Sequence, residues 1–310
     1  MQEIILKAPA KINLTLEVLK KRKDGYHQIR SVSSIIALFD EIKIQIKKNK
    51  PNNFSNPNLD ALVKKNLEFR ASGYKISKKP QNQNNCFLAV ALFLKKFAPQ
   101  ILKDYKIFLT LKKNIPIASG LGGSSTDMVS VVYGLIKLFD LKINQNDLRG
   151  FLNSLGSDLM IFYLGGVVSL KGKGDKAKQI KEKPINLPML LVFNKFQWSA
   201  KQSYQKLDVK KLPQLRVDGS AKMISLIKKS KVEEIANFLY NDLELSNNTD
   251  KAYLIKIKQY LKAAGSLGQL MSGSGPTVYA IFKNNRDLEK AYKNLSKVFG
   301  KDRLYLIKSQ

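Results

Sequence analysis

Pro116-Ile117-Ala118-Ser119-Gly120-Leu121-Gly122-Gly123-Ser124-Ser125-Thr126-Asp127-Met128 separates two patterned runs of this chain. Before it, Ile107, Leu109 and Leu111 alternate as in a strand. After it, Met128, Val131, Val132, Leu135 and Phe139 recur at helical spacing. Strand, glycine-hydroxyl loop and helix, in that order, let backbone N–H groups wrap a phosphate while the helix aims its positive end at it. Gly120, Gly122 and Gly123 permit close approach and positive φ. Ser124, Ser125 and Thr126 offer hydroxyls to phosphate oxygens or to Mg2+, and Lys113 just upstream can offset nucleotide charge. The string is not a Walker A loop, since no Gly-Lys-Ser/Thr follows at the required spacing, and it lacks the third glycine of a dinucleotide fingerprint. On composition alone a phosphate loop and a flexible Gly-Ser connector before a capped helix both stay open.

The rest of the chain has room for such a site. It has 310 residues, of which 44% are hydrophobic, enough for a large core and two lobes. No stretch reaches the roughly 20 consecutive apolar residues of a membrane-spanning helix. The first residues lack the basic and apolar segments of a secretory signal. Cys86 is the single cysteine, so no internal disulfide forms, which suits a cytoplasmic location. Against 24 Asp and Glu stand 54 Lys and Arg, a net charge of +30, which raises nucleic-acid or anionic-membrane binding as a reading. Lysine dominates and is scattered, with no Arg-rich arm and no zinc-finger spacing. The expectation is therefore a lysine-rich surface around an enzyme, with neither nucleic acid nor membrane as partner. Such a surface still attracts phosphorylated substrates.

Ile12, Leu14, Leu16 and Val18 alternate, as do Ile42, Ile44 and Ile46, so the first fifty residues read as strand-rich. Lys23-Asp24-Gly25 reads as a turn between them. Polar stretches at 47–60 and 77–85 read as a loop or insertion and a second break. Runs 85–97, 128–139 and 148–155 read as helices, the last stopped by Gly156. The run 159–170 reads as a strand broken by Gly165-Gly166, with a lobe boundary there. Beyond it, strands are expected at 190–193, 278–282 and 304–307, and helices at 221–239, 251–261 and 287–299. The pattern is α+β in two lobes, 1–160 with the glycine-hydroxyl loop and 161–310.

The loop string Pro-x-x-x-Gly-Leu-Gly-Gly-Ser-Ser over 116–125 resembles the ATP-phosphate motif of the GHMP kinases, which phosphorylate small alcohols and acids. Ala8-Pro9-Ala10-Lys11-Ile12-Asn13-Leu14 is similar to that family's N-terminal motif, and Met271-Ser272-Gly273-Ser274-Gly275-Pro276-Thr277-Val278 to its C-terminal glycine motif. The three occur in the family's order and span nearly the whole chain. The resemblance implies an N-terminal lobe like ribosomal protein S5 domain 2 and a ferredoxin-like C-terminal lobe. Asp24-Gly25-Tyr26-His27, Leu155-Gly156-Ser157-Asp158 and Asn241-Asp242-Leu243-Glu244 resemble one branch of the family. Its acceptor is the 2-hydroxyl of methylerythritol carried on cytidine diphosphate, in the non-mevalonate route to isoprenoid precursors. A homoserine- or mevalonate-type kinase is the rival within the family.

Roles follow from that resemblance. Asp158 is expected to be the catalytic base, because a carboxylate bonded to an alcohol can orient it and take its proton. Lys11 is expected beside it, keeping the carboxylate ionised and stabilising charge on the alcohol oxygen. ATP, with Mg2+, is assigned to Pro116, Ala118, Ser119, Gly120, Leu121, Gly122, Gly123, Ser124, Ser125 and Thr126, with Asn85 and Lys113 nearby. Metal ligands are left without firm assignment. Substrate is assigned to Asn13, Tyr26, His27, Ser199, Tyr204, Ser272 and Gly273, with Tyr26, His27 and Tyr204 holding the cytidine. Ser199-Ala200 stands where the family has Ser-Thr, so one hydroxyl near the transferred phosphate is missing. Ser124 replaces a glycine and Thr126 a serine of the commonest loop. His27 is the only histidine, which leaves no multi-histidine metal site. A monomer or homodimer is expected.

Overall fold

Alternating apolar residues carry two long strands through the amino-terminal part, β1 (Gln2–Lys21) and β2 (His27–Lys48). The computed structural model describes residues 2–50, 58–73, 84–194, 196, 198–212, 218–246 and 251–309. Of the predicted polar stretches at 47–60 and 77–85, residues 51–57 and 77–83 lie outside them. The described chain forms two compact units that interleave in sequence: residues 1–10, 38–117 and 123–163, and residues 11–37, 118–122 and 164–310. Both long strands cross from one unit to the other, so no single cut divides the chain.

The first unit holds the start of β1, the end of β2, α1 (Leu59–Asn66), β3 (Leu67–Gly73), α2 (Asn85–Phe97), α3 (Pro99–Asp104), β4 (Tyr105–Lys113), α4 (Gly123–Leu138), α5 (Gln145–Leu155) and α6 (Leu159–Leu164). β4 pairs antiparallel with β2, Ile42 facing Leu111 and Ile44 facing Leu109, and parallel with β3 on its other side. The inward residues of these strands, Ile42, Ile44, Ile107 and Leu109, are buried with Phe93, Leu94, Val131 and Leu135 of the helices. A methyl on Gly134 of α4 would come 2.6 Å from Ile44 Cδ1 and from Leu6 Cδ1, so the helix lies close enough to the strands that any larger residue would displace those side-chain ends. Asn84 caps α2 by accepting from the Cys86 N–H at 2.9 Å.

The second unit holds β5 (Val167–Gly172), β6 (Lys176–Lys181), β7 (Met189–Val192), α7 (Ala200–Gln205), α8 (Gly219–Lys228), α9 (Val232–Asn237), β8 (Tyr240–Asn241), α10 (Lys251–Ala263), β9 (Gly268–Met271), β10 (Val278–Ile281), α11 (Asn285–Phe299) and β11 (Leu304–Ile307). The first half of β2 pairs with β5, which pairs with β6, while β1 pairs parallel with β8. A second, antiparallel sheet runs β11-β7-β10-β9. Its buried face, with Leu190, Val192, Val278 and Ala280, packs with Leu254, Ile257 and Leu261 of α10 and Leu288, Ala291 and Leu295 of α11.

Two predicted elements need correction. Residues 159–164 form a helix, not a strand, with the Ile161 N–H donating to the Asp158 carbonyl at 3.1 Å. A short apolar run fits either periodicity, and Gly165 and Gly166, at φ +68° and +66°, end the helix and release the chain into β5. The single helix expected over 221–239 is two, α8 and α9, parted at Ser230, which adopts φ +53°.

Candidate functional site

β1 places Lys11, Asn13, Thr15 and Glu17 on one face by its two-residue period. All four are buried, so the polar face of this strand is covered rather than wet. Polar groups in that position need partners. The Lys11 ammonium donates to Asn13 Oδ1 at 2.7 Å, and the Asn13 amide nitrogen donates to Ser31 Oγ at 2.9 Å and Ser33 Oγ at 3.0 Å. Thr15 Oγ1 accepts from the Val32 N–H at 3.2 Å. Glu17 meets Arg30 at 2.8 Å and accepts from the Ser220 N–H at 2.9 Å. Burial raises the Glu17 pKa, with Arg30 and Ser220 opposing the shift.

Lys11 and Asn13 share their unit with loop residues 118–122 and the glycine turn at 272–275, and the structure brings all three strings together there. The Lys11 N–H donates to the Leu121 carbonyl at 3.0 Å. Ser272 Oγ donates to the Gly120 carbonyl at 3.0 Å, and the Thr277 N–H to the Ser119 carbonyl at 3.2 Å. A Cβ on Gly120 would stand 2.0 Å from the Ser272 carbonyl oxygen, and one on Gly273 would stand 2.9 Å from both Lys11 Nζ and the Gly120 carbonyl. Glycine is required at both because backbone meets backbone. Ala118, Gly120 and Gly122 have φ of +52°, +79° and +73°, alternating with residues of negative φ, the sign pattern that builds anion nests. Asn241, which carried no role in the sequence, holds the turn from β8 by donating to the Met271 and Gly273 carbonyls at 2.9 and 2.7 Å. Its neighbours are engaged too, Asp242 by the Val18 N–H at 2.8 Å and Glu244 by the Met271 N–H at 2.8 Å.

The first unit holds the flanks of the loop. Lys113, at the end of β4, is buried and pairs with Asp127 at 2.6 Å and with Asp40 of β2. Asp40 also accepts from the Asn114 and Ile115 N–H groups at 2.6 and 2.8 Å. A methyl on Gly123 would come 3.1 Å from Lys113 Nζ, so the trio lies directly under the first turn of α4. Burial lowers the Lys113 pKa, but Asp127 and Asp40 outweigh it and the net shift is upward. Burial pushes Asp127 up to about 8, with Asp40 adding to the shift and Lys113 opposing it. Lys113 was expected to offset nucleotide charge, and the structure gives its ammonium two buried partners, Asp40 and Asp127. Asp40 was missed, and its one signal was a carboxylate inside an alternating apolar strand.

Around the loop exit, Asn85 donates to Ser124 Oγ at 2.7 Å, joining two predicted nucleotide residues. Ser124 is exposed and Ser125 half-buried, whereas Thr126 is fully buried with its hydroxyl lacking a protein partner. Pro116 is buried beside Ile115. Asp158 is half-buried at the head of α6, in the first unit, while Lys11 belongs to the second. Among the described residues no group of three His, Cys, Asp or Glu side chains is placed to hold a metal.

The aromatic residues assigned to a base lie in the second unit. His27 stacks on Tyr204 of α7, with centroids 5.3 Å apart and planes 20° from parallel. Burial and Lys21 lower the His27 pKa, which favours a neutral ring. Tyr26 is 56% exposed, and Lys173 Nζ lies 5.0 Å from its ring centroid. Ser199 caps α7, accepting from the Gln202 N–H at 3.2 Å, and Ala200 is the helix's first residue. Ser203 of the same helix donates to the Ser274 carbonyl at 3.1 Å, tying the aromatic residues' helix to the glycine turn.

Comparison with known proteins gives a consistent result. Residues 85–166 match the GHMP kinases N terminal domain and residues 223–301 the GHMP kinases C terminal domain. A 4-diphosphocytidyl-2-C-methyl-D-erythritol kinase of Caldicellulosiruptor saccharolyticus is 34% identical over 299 residues, covering 96% of this chain and 94% of that protein. The enzyme of that name from Clostridioides difficile is 31% identical over 313 residues, covering 100% and 96%. A crystal structure of 4-(cytidine 5'-diphospho)-2C-methyl-D-erythritol kinase superposes with a TM-score of 0.73 at 22% identity, covering 98% of each chain. Homoserine kinase from Cytophaga hutchinsonii superposes at 0.69 with 17% identity, covering 100% of this chain and 95% of that one, a likeness of fold.

Proposed function

The chain belongs to the GHMP kinases, and from that premise we propose that it transfers the γ-phosphoryl group of ATP to the 2-hydroxyl of 4-diphosphocytidyl-2-C-methyl-D-erythritol. The observation that carries this choice of acceptor is identity of 31–34% with kinases of that name along nearly the whole chain. The stacked His27 and Tyr204, with Tyr26 adjacent in sequence to His27, support it, since a cytosine needs aromatic faces. A base seated between the two rings needs about 7 Å, two stacking distances of about 3.5 Å each, so it docks on an outer face or parts them.

Phosphoryl transfer asks the protein mainly to position and to stabilise charge. The loop from Gly120 to Thr126 offers backbone N–H groups to the phosphates. Asp158 orients the acceptor hydroxyl and takes its proton, and Lys11 stabilises the developing oxyanion. Magnesium accompanies the nucleotide and offsets phosphate charge when bound. Magnesium keeps several waters and takes few protein ligands. The hydroxyls of Ser124 and Ser125 are the groups to hold it. The reaction takes place in the cytoplasm, a reading supported by the single, buried cysteine.

The test is ADP release across an acceptor panel of the cytidine substrate, homoserine and mevalonate. The cytidine substrate is expected to be preferred by at least about 100-fold in kcat/KM, because a site built for a base leaves polar groups unpaired without it. Preference for homoserine or mevalonate would overturn the assignment. Asp158→Asn is expected to keep nucleotide binding and lose about 10³-fold in kcat, within the range of general-base catalysis. Near-normal turnover would remove Asp158 as base.

A further inference from the structure

We propose that the groove between Leu245, α10 and Gln269 of β9 binds a small anionic amphiphile, a short apolar chain ending in an anionic head. None of the residues assigned to ATP or to the cytidine substrate lines it. Its volume is about 320 Å³, near the lower end of ligand pockets, which span about 300–1,000 Å³.

Helical spacing sorts the lining into two ends. Leu254 stands one turn before Lys258, and Lys258 one turn before Lys262, on one face of α10. Leu254, Ile255 and, from the short turn Asp242–Leu245, Leu245 make one end apolar. Leu245 and Ile255 are 46% and 49% exposed, so two large apolar side chains share a cavity that nothing described covers. Lys258, Gln259, Lys262 and Gln269 make the other end polar.

The single acid in the lining is already engaged. Glu244 accepts from Lys258 at 2.7 Å through one oxygen and from the Met271 N–H at 2.8 Å through the other, so the groove shares this residue with the glycine turn. Lys258 keeps two further donors, because an ammonium carries three. Among the described residues Lys262 pairs with no carboxylate. The polar end therefore presents uncompensated positive charge. A bare anion there leaves the apolar end wet, and a neutral chain leaves the lysines unanswered. A ligand with both parts satisfies both ends. Seven residues of helix at about 1.5 Å each put Ile255 about 10 Å from Lys262, the reach of a chain of about eight carbons.

The test is isothermal titration calorimetry of the full chain with octyl phosphate below its micellar concentration, with ADP present to fill the phosphate loop. A single saturable site with a Kd on the order of 0.1 mM is expected. Inorganic phosphate and octanol, each half of the ligand, are expected to bind at least about 10-fold more weakly. Lys262→Glu reverses the charge at the head, and Ile255→Asp puts charge against the chain. Each is expected to weaken octyl phosphate binding at least about 10-fold. Lys251→Glu lies about 16 Å along the helix from Lys262, beyond a Debye length of about 8 Å, and is expected to change it by less than about 3-fold. Turnover of Lys262→Glu with ATP and the cytidine substrate, expected within about 2-fold of the parent, shows that the fold is intact. Absence of saturable binding, equal binding of inorganic phosphate, equal losses in Lys251→Glu and Lys262→Glu, or binding untouched by Lys262→Glu and Ile255→Asp would overturn the proposal. Binding confined to vesicles of phosphatidylglycerol would overturn it too, by making this face a membrane contact.

Discussion

Two lysines of this chain are buried to a similar degree, Lys11 at 3% and Lys113 at 7% exposed, in different surroundings. Lys113 is fixed by charge, between Asp127 and Asp40. Within its unit Lys11 donates to the Asn13 amide oxygen, and the amide nitrogen donates in turn to Ser31 and Ser33. Charge pairing tolerates small shifts in angle and secures a scaffold. The difference teaches that lysine near a phosphate loop is not one role but two: Lys113 joins the strand entering the loop to the helix leaving it, and Lys11 faces the glycine-rich backbone of residues 120 and 273.

The largest expected effect breaks the scaffold side of this contrast. Lys113→Met strands the buried Asp40 carboxylate and takes the hydrogen-bond partner from Asp127, and urea unfolding is expected to show a loss of about 3–5 kcal/mol. Adding Asp40→Asn to Lys113→Met is expected to recover part of it, since the uncompensated carboxylate disappears. A double variant no more stable than the single one would show that the trio does not act as a charge unit.

A second, smaller effect is a pH dependence. In the fold Asp127 keeps its proton up to about pH 8, whereas its ordinary value is 3.8. Between those values the folded chain binds more protons than the unfolded one, so this group's contribution to stability is full below about pH 4 and declines as pH rises toward 8. Denaturation midpoints of the parent are expected to fall more steeply over that window than those of Asp127→Asn. Identical slopes would place the proton elsewhere.

The smallest effect sharpens the second unit. Tyr204→Ala removes the stacking partner of His27 and is expected to raise KM for the cytidine substrate about 10-fold, the scale of one lost stacking surface, with KM for ATP unchanged. Tyr204→Phe keeps the ring and is expected to stay near the parent. An equal rise in both KM values would argue against a base contact.

Much of this was legible in the sequence where local physics decides. The helix at Asn85–Phe97 and the strand at Leu304–Ile307 have the predicted bounds, because apolar spacing and capping agree there. The run Leu159–Leu164 was misread because six apolar residues carry no period, and only the two glycines after it set the helix end. The three family-like strings were visible, but their mutual contacts were not. Those depend on Asn241 and on close backbone passage at Gly120 and Gly273, which are long-range events. The buried polar face of β1 was hidden for another reason. Alternation of polar and apolar residues ordinarily marks a wet face and a dry one, and what buries this polar face, the Gly273 turn at Lys11 and Ser220 at Glu17, is distant in sequence.

The most direct measurement is single-turnover transfer of labelled γ-phosphate from ATP to the cytidine substrate in Lys11→Met, at saturating concentrations of both, beside its urea midpoint. The account predicts a transfer rate lower by about 10³-fold, the scale of a lost charge-stabilising group, in a protein that remains folded although an orphaned amide oxygen costs about 1–3 kcal/mol. Transfer at the parent rate, or a loss explained by unfolding alone, would contradict it.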